Sequence, residues 1–135
     1  MRVLAADYGD QRTGIAISDA MGILVGRAFT IKQWDENRVA SAIIDEAKSE
    51  GVGTIVIGYP KNMDGTIGPR AEKCEGLKRL IEESCDIPVI LWDERRTTVD
   101  AHRILRENGK KTKNHRDTVD AVAASLILEG YLQTL

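Results

Sequence analysis

The chain has little cysteine, no long apolar run and no surplus of positive charge, and each shortage removes a class of protein. Cys74 and Cys85 are its two cysteines, in no CxxC pair and beside no histidine cluster, which excludes a zinc site and leaves two reduced thiols. No apolar stretch nears the ~20 residues that span a bilayer, so no membrane partner is expected. Asp7 interrupts the short apolar run near the N-terminus, so no secretory signal is read there and the protein is expected to be cytoplasmic. At 135 residues a single domain over 1–135 is expected, with one core and no room for two lobes closing on a nucleotide. A net charge of −2 excludes a protein coated in basic charge.

What is present is a run of short elements. Val3-Leu4-Ala5-Ala6 reads as a buried strand, Tyr8-Gly9-Asp10-Gln11 as a tight turn, and residues 14–18 as a second strand returning beside the first. Residues 23–31 give a third strand, with Gly22 and Gly26 marking a bend or bulge. Asp35-Glu36 opens a helix in which Val39, Ala42, Ile43 and Ala47 recur at helical spacing until Gly51 stops it. Thr54-Ile55-Val56-Ile57 is a β-branched run of the kind buried on both faces, followed by a loop with an Asp64-Gly65 turn. Pro69 starts a helix down to about Ser84, and Pro88 introduces the strand Val89-Ile90-Leu91-Trp92. Thr97-Thr98 can cap a further helix, residues 110–115 carry no apolar residue and read as a mobile loop, and a last helix covers about 117–132. Three antiparallel strands followed by crossover units predict an α/β fold: a mixed five-stranded sheet with helices on both faces.

Acids fall where such a sheet can gather them. Asp7 ends the first strand, Asp93-Glu94 ends the last, and Asp117 or Asp120 opens the final helix. Grouped carboxylates repel one another unless a cation neutralises them, and oxygen donors without Cys or His point to Mg²⁺ or Mn²⁺. A metal pair held so can activate water against a phosphodiester. Each acid also has a plainer role: Asp7 as a turn cap, Glu94 in a surface pair with Arg95 or Arg96, Asp117 as a helix N-cap with Asp120 favouring the positive helix end. Residues 94–116 hold eight Lys or Arg against three acids, locally +5, which suits either a nucleic-acid-facing edge or a solvated face.

Four segments taken together carry a resemblance. They are Asp7-Tyr8-Gly9 with Arg12-Thr13-Gly14-Ile15-Ala16; Gly58-Tyr59-Pro60 with Asn62-Met63-Asp64-Gly65; Asp93-Glu94-Arg95-Arg96-Thr97-Thr98; and Asp120-Ala121-Val122-Ala123-Ala124 with Ile127-Leu128 and Tyr131-Leu132. In this order, over essentially the whole chain, they resemble the YqgF/RuvX family of Holliday-junction resolvases, also regarded as pre-16S ribosomal RNA nucleases, in the ribonuclease H-like superfamily. The resemblance implies that Asp7, Glu94 and Asp120 are catalytic, metal-binding acids served by Mg²⁺ or Mn²⁺. It implies that Arg95 and Arg96 lie along the phosphate path and that the 110–115 loop touches substrate, with Arg12, Lys110, Lys111, Lys113 and Arg116 as further substrate contacts. Related nucleases often carry an acid at the end of the fourth strand, where this chain has Gly58-Tyr59-Pro60; here the fifth strand would supply it.

The leading expectation is therefore a hydrolase, a metal-dependent endonuclease on structured nucleic acid that processes the 5′ end of pre-16S ribosomal RNA or resolves four-way DNA, acting as a monomer or weak homodimer. Two other classes are weighed against it. An actin-like nucleotide-binding domain shares the Asp-x-Gly hairpin but needs a second lobe and a second glycine-rich phosphate loop. A non-catalytic RNA- or ribosome-binding module could use the same basic edge.

Overall fold

The computed structural model describes residues 1–61, 64–94 and 115–135, with the backbone alone over 115–119. Its elements run β1 (Arg2–Tyr8), β2 (Arg12–Ser18), β3 (Val25–Lys32), α1 (Glu36–Ser49), β4 (Val52–Tyr59), α2 (Pro69–Ser84), β5 (Val89–Asp93) and α3 (His115–Leu132). The strands form one sheet in the order β3-β2-β1-β4-β5. β1 pairs antiparallel with β2, and β2 with β3, while β4 joins the free side of β1 in parallel and carries β5 in parallel beyond it.

Alternation along the strands divides the core between two faces. Leu4, Ala6, Ile15, Ile17, Ile55 and Ile57 pack against Val39, Ile43 and Ala47 of α1 and Ala71, Cys74, Leu77 and Ile81 of α2. Val3, Ala5, Ala16, Val56 and Trp92 pack on the other face against Ala124, Ile127 and Leu128 of α3. Each fully buried Leu or Ile stabilises the fold by roughly 1.5–3 kcal/mol relative to exposure, so the sheet is held from both sides.

The predicted helix signals operate. The Asp35 carboxylate caps α1 by accepting from the Asn37 N–H, and Gly51 with φ +66° ends the helix as an αL residue. Pro69 occupies the first turn of α2. The register of β2 against β3 slips between Ile17 and Ser18, where Ile17 faces Arg27 and Ser18 faces Val25, so Gly26 is the bulged residue.

Two boundaries differ from expectation. β3 begins at Val25 because the Asp19 carboxylate accepts from the Ile23 N–H, and the Asp19 N–H donates to the Leu24 carbonyl; this turn takes Ile23 and Leu24 out of the strand and leaves both exposed. α3 begins at His115, so Asp117 is inside its first turn rather than at the N-cap, and Asp120 sits in the second turn rather than at the opening. Apart from His115, which is already helical, the predicted 110–115 loop lies outside the described residues, as does the helix expected after Thr97-Thr98.

Candidate active site

Asp7 lies one residue inside the end of β1, opposite Gly14, in phase with Val3 and Ala5 and hence on the α3 face. A carboxylate capping the adjacent turn would accept backbone N–H groups and be held low, as Asp19 is by Ile23. Asp7 goes the other way. Burial, reinforced by the negative charge of Asp120, raises its pKa to about 6, against a lowering pull from Arg70.

α3 reaches Asp7 because β2 carries a glycine where the helix crosses. A Cβ on Gly14 would overlap the Asp120 carbonyl oxygen, a backbone atom that no rotamer change can move. At Gly14 the group that approaches is the helix bearing Asp120.

Glu94 follows β5 directly. Alternation puts Asp93 with Val89 and Leu91 on the α1–α2 face, and Glu94 with Trp92 on the α3 face. The space above Gly58 in β4 is taken by its carboxylate: a Cβ there would lie 2.7 Å from Glu94 Oε1 and 2.6 Å from Ile127 Cδ1. The absence of a carboxylate from β4 is thus the condition for the one after β5 to fold over it. Burial first, and Asp7 second, raise Glu94 to about 7, with Arg70 again opposing.

Asp7 is the common member of two repelling pairs, Asp7 with Asp120 and Asp7 with Glu94. Among the described residues no three Asp, Glu, His or Cys side chains already enclose a metal position. The donor set nevertheless fits a hard divalent cation, since its donors are carboxylate oxygens, two of them desolvated and Asp7 repelled by both of the others, with Arg70 acting on Asp7 and Glu94. Cys74 is no competing ligand, because burial, assisted by Glu94, pushes its thiol up to about 12.

Arg70 was not foreseen. Its Nη2 donates to the Tyr8 carbonyl at 3.1 Å, which anchors a guanidinium beside the carboxylates from the first turn of α2. The signal available was Pro69, which fixes a helix start and so places the next side chain at an exposed helix end. Arg12 is described at the start of β2, paired with Lys32, whereas Arg95, Arg96, Lys110, Lys111 and Lys113 lie outside the described residues, as does the Arg116 side chain.

A family model described as RuvX, Holliday junction resolvase, matches residues 1–134. The chain belongs to the RuvX family. Among its relatives, a protein of Halothermothrix orenii is 44% identical over 135 residues, covering 98% of this chain and 94% of the relative. One of Acetivibrio thermocellus is 47% identical over 136 residues, covering 99% and 96%. Both bear the name "Putative pre-16S rRNA nuclease". Among solved structures, RuvC of Thermus thermophilus in complex with a Holliday junction substrate superposes with a TM-score of 0.66 at 10% identity, over 99% of this chain and 96% of that one. The fowlpox virus resolvase complexed with Holliday junction DNA gives 0.58 at 12% identity, over 99% and 98%. At such identities the likeness is one of fold, and it makes the RuvX-family sheet ribonuclease H-like, as the four sequence segments implied.

Proposed function

We propose that this RuvX-family protein is a divalent-metal-dependent endonuclease on structured nucleic acid, acting at the 5′ end of pre-16S ribosomal RNA. The observation that carries this reading is the position of Asp7 between Glu94 and Asp120, three acids from separate elements, the first two of them desolvated. Asp7, Glu94 and Asp120 would hold Mg²⁺ or Mn²⁺. When bound, the ion supplies charge neutralisation and a water made acidic enough to attack a phosphodiester. The chain's own part is orientation: β1 fixes Asp7, Gly14 lets α3 bring up Asp120, and Gly58 leaves room for Glu94. Arg70, held on the Tyr8 carbonyl, offers a fixed positive charge to a phosphate oxygen, and Arg12, Arg95, Arg96, Lys110, Lys111, Lys113 and Arg116 are candidate contacts further along the backbone.

The names borne by the relatives support the ribosomal RNA substrate, whereas the family description and the resolvase-like fold favour four-way DNA as the second reading. On either reading the protein works in the cytoplasm as a monomer or weak homodimer. Among the described residues no helix is long and apolar enough to cross a membrane. The test is cleavage of a pre-16S 5′-leader RNA and a four-way DNA junction side by side in Mg²⁺, Mn²⁺ and Ca²⁺. The leader RNA should be cut in Mg²⁺ or Mn²⁺ and only bound in Ca²⁺, whose looser coordination misplaces reacting groups. Faster cutting of the junction transfers the assignment to DNA, and binding without cutting in any metal reduces the protein to a binding module.

A further inference from the structure

The chain has six aromatic residues, two of them tryptophans. Trp92 is in the core at 6% exposure, edge-on to Tyr131. Trp34 is 76% exposed. It stands in the short connection from β3 to α1, and that connection is tied down: the Gln33 side-chain oxygen accepts from the Trp34 N–H at 3.1 Å and the Asp35 N–H at 3.2 Å, while Asp35 caps α1. A large apolar ring is thus held out into solvent by a fixed backbone.

The ring borders a concavity of about 300 Å³ lined also by Gln11, Arg12, Lys32 and Gln33. Arg12 and Lys32 are register partners across β2 and β3. Each makes an interaction of its own, while Arg12 Nε is buried with no hydrogen-bond partner. The nearby acid Asp35 is committed to the α1 cap and to Arg38 at 3.7 Å, and Asp10 to Lys73 at 2.8 Å. Lys32 lines a second, open groove as well, whose far wall is Ala121, Val122 and Ser125 of α3, immediately after Asp120. Lys32 lines both, so the two concavities adjoin. Arg12 is two residues along β2 from Gly14, about 7 Å at strand rise.

We infer that the concavity between Trp34, Arg12 and Lys32 is a subsite for an unpaired nucleotide of the polynucleotide substrate, its base stacked on the Trp34 indole and its phosphate held by Arg12 and Lys32. An exposed aromatic beside paired cations is the chemistry by which single strands are gripped without regard to sequence, since every base has a π face and every linkage a charge. The amides of Gln11 and Gln33 border the same space. The inference rests on the reading of the protein as acting on polynucleotides and adds to it a demand for an unpaired segment next to the scissile site.

The test uses the full chain in Ca²⁺ and two RNA hairpins, one blunt and one with a short unpaired 5′ tail. Trp34→Ala should weaken binding of the tailed hairpin on the order of 10- to 100-fold and leave the blunt one within about twofold. Trp34→Phe, which keeps a stacking face, should restore most of the affinity, and Trp34→Leu, which keeps only apolar bulk, should not. Lys32→Ala should lower the log–log salt slope for the tailed hairpin by about 0.7. Equal losses on both hairpins, no loss on either, or rescue by Trp34→Leu would overturn the subsite. So would a Trp34-dependent dimer in sedimentation velocity, which would make a second copy the occupant. Wild-type protein that binds neither hairpin overturns the ribosomal RNA reading as well, whereas metal-dependent cleavage indifferent to Trp34 overturns the subsite alone.

Discussion

A carboxylate raised by its surroundings changes the stability of the protein that holds it. Asp7 at about 6 and Glu94 at about 7 both lie above their ordinary values, so between pH 4 and 7 the native state keeps protons that the unfolded chain has released. Their stabilising contribution is therefore complete below pH 4 and is lost as pH rises through 6 and 7. Metal-free protein should melt lower at pH 8 than at pH 5, and saturating Mg²⁺ should reverse the trend, since a ligand at a hundredfold over its Kd stabilises by about 2.7 kcal/mol. Asp7→Asn should abolish cleavage, raise the metal-free Tm at pH 8 by a few degrees, equivalent to roughly 1 kcal/mol, and confer no such gain at pH 5, where Asp7 already carries its proton. Differential scanning calorimetry at the two pH values, with and without Mg²⁺, checks all three; equal gains at both would show that Asp7 is not a desolvated charge.

The glycines are where one element determines the position of another. Gly14→Ala would drive a Cβ into the backbone of α3, so the helix must retreat; a loss of roughly 2–3 kcal/mol is expected, along with cleavage, because Asp120 moves with the helix. Gly58→Ala meets only the far ends of the Ile127 and Glu94 side chains, which can swing aside; the expected loss is about 1 kcal/mol, with cleavage nonetheless impaired because Glu94 is turned away. Thermal midpoints and single-turnover rates of the two variants separate these cases, and a Gly14→Ala protein as stable as wild type would show that α3 does not rest on β2 at that point. Much of this framework was legible in the sequence, because it depends on local chemistry: short apolar runs marked the strands, Asp35 and Gly51 the limits of α1, Pro69 the start of α2, and Gly26 the bulge. Ile23 and Leu24 misled, since hydrophobicity favours a strand while the Asp19 side chain enforces a turn. The acids could be nominated as strand and helix ends, but Arg70 could not be placed near them, nor Trp34 beside Arg12 and Lys32. Their relevance depends on which elements meet in space, and no spacing within the chain encodes that.

For the molecule as a whole, charge is uneven: the net is −2, yet residues 94–116 carry a local +5. Replacing Lys110, Lys111 and Lys113 together by Ala should weaken RNA and DNA binding alike, with each lost phosphate contact lowering the log–log salt slope by roughly 0.7–0.9. Titrations at several salt concentrations read this directly, and an unchanged slope removes the lysines from the interface. The sheet order has a further consequence, in time rather than in space. β1 lies at the centre, with β4 beside it and α3 laid across its face, so Asp7 is made well before the Asp120 that packs near it. At ordinary rates of synthesis roughly 6–20 s separate the two. Until α3 has been made and has docked over Gly14, a nascent chain holds Asp7 and Glu94 without Asp120. On the proposed site, competence to cleave therefore waits for α3 to close on β1, and the RNA around the nascent chain is spared until then.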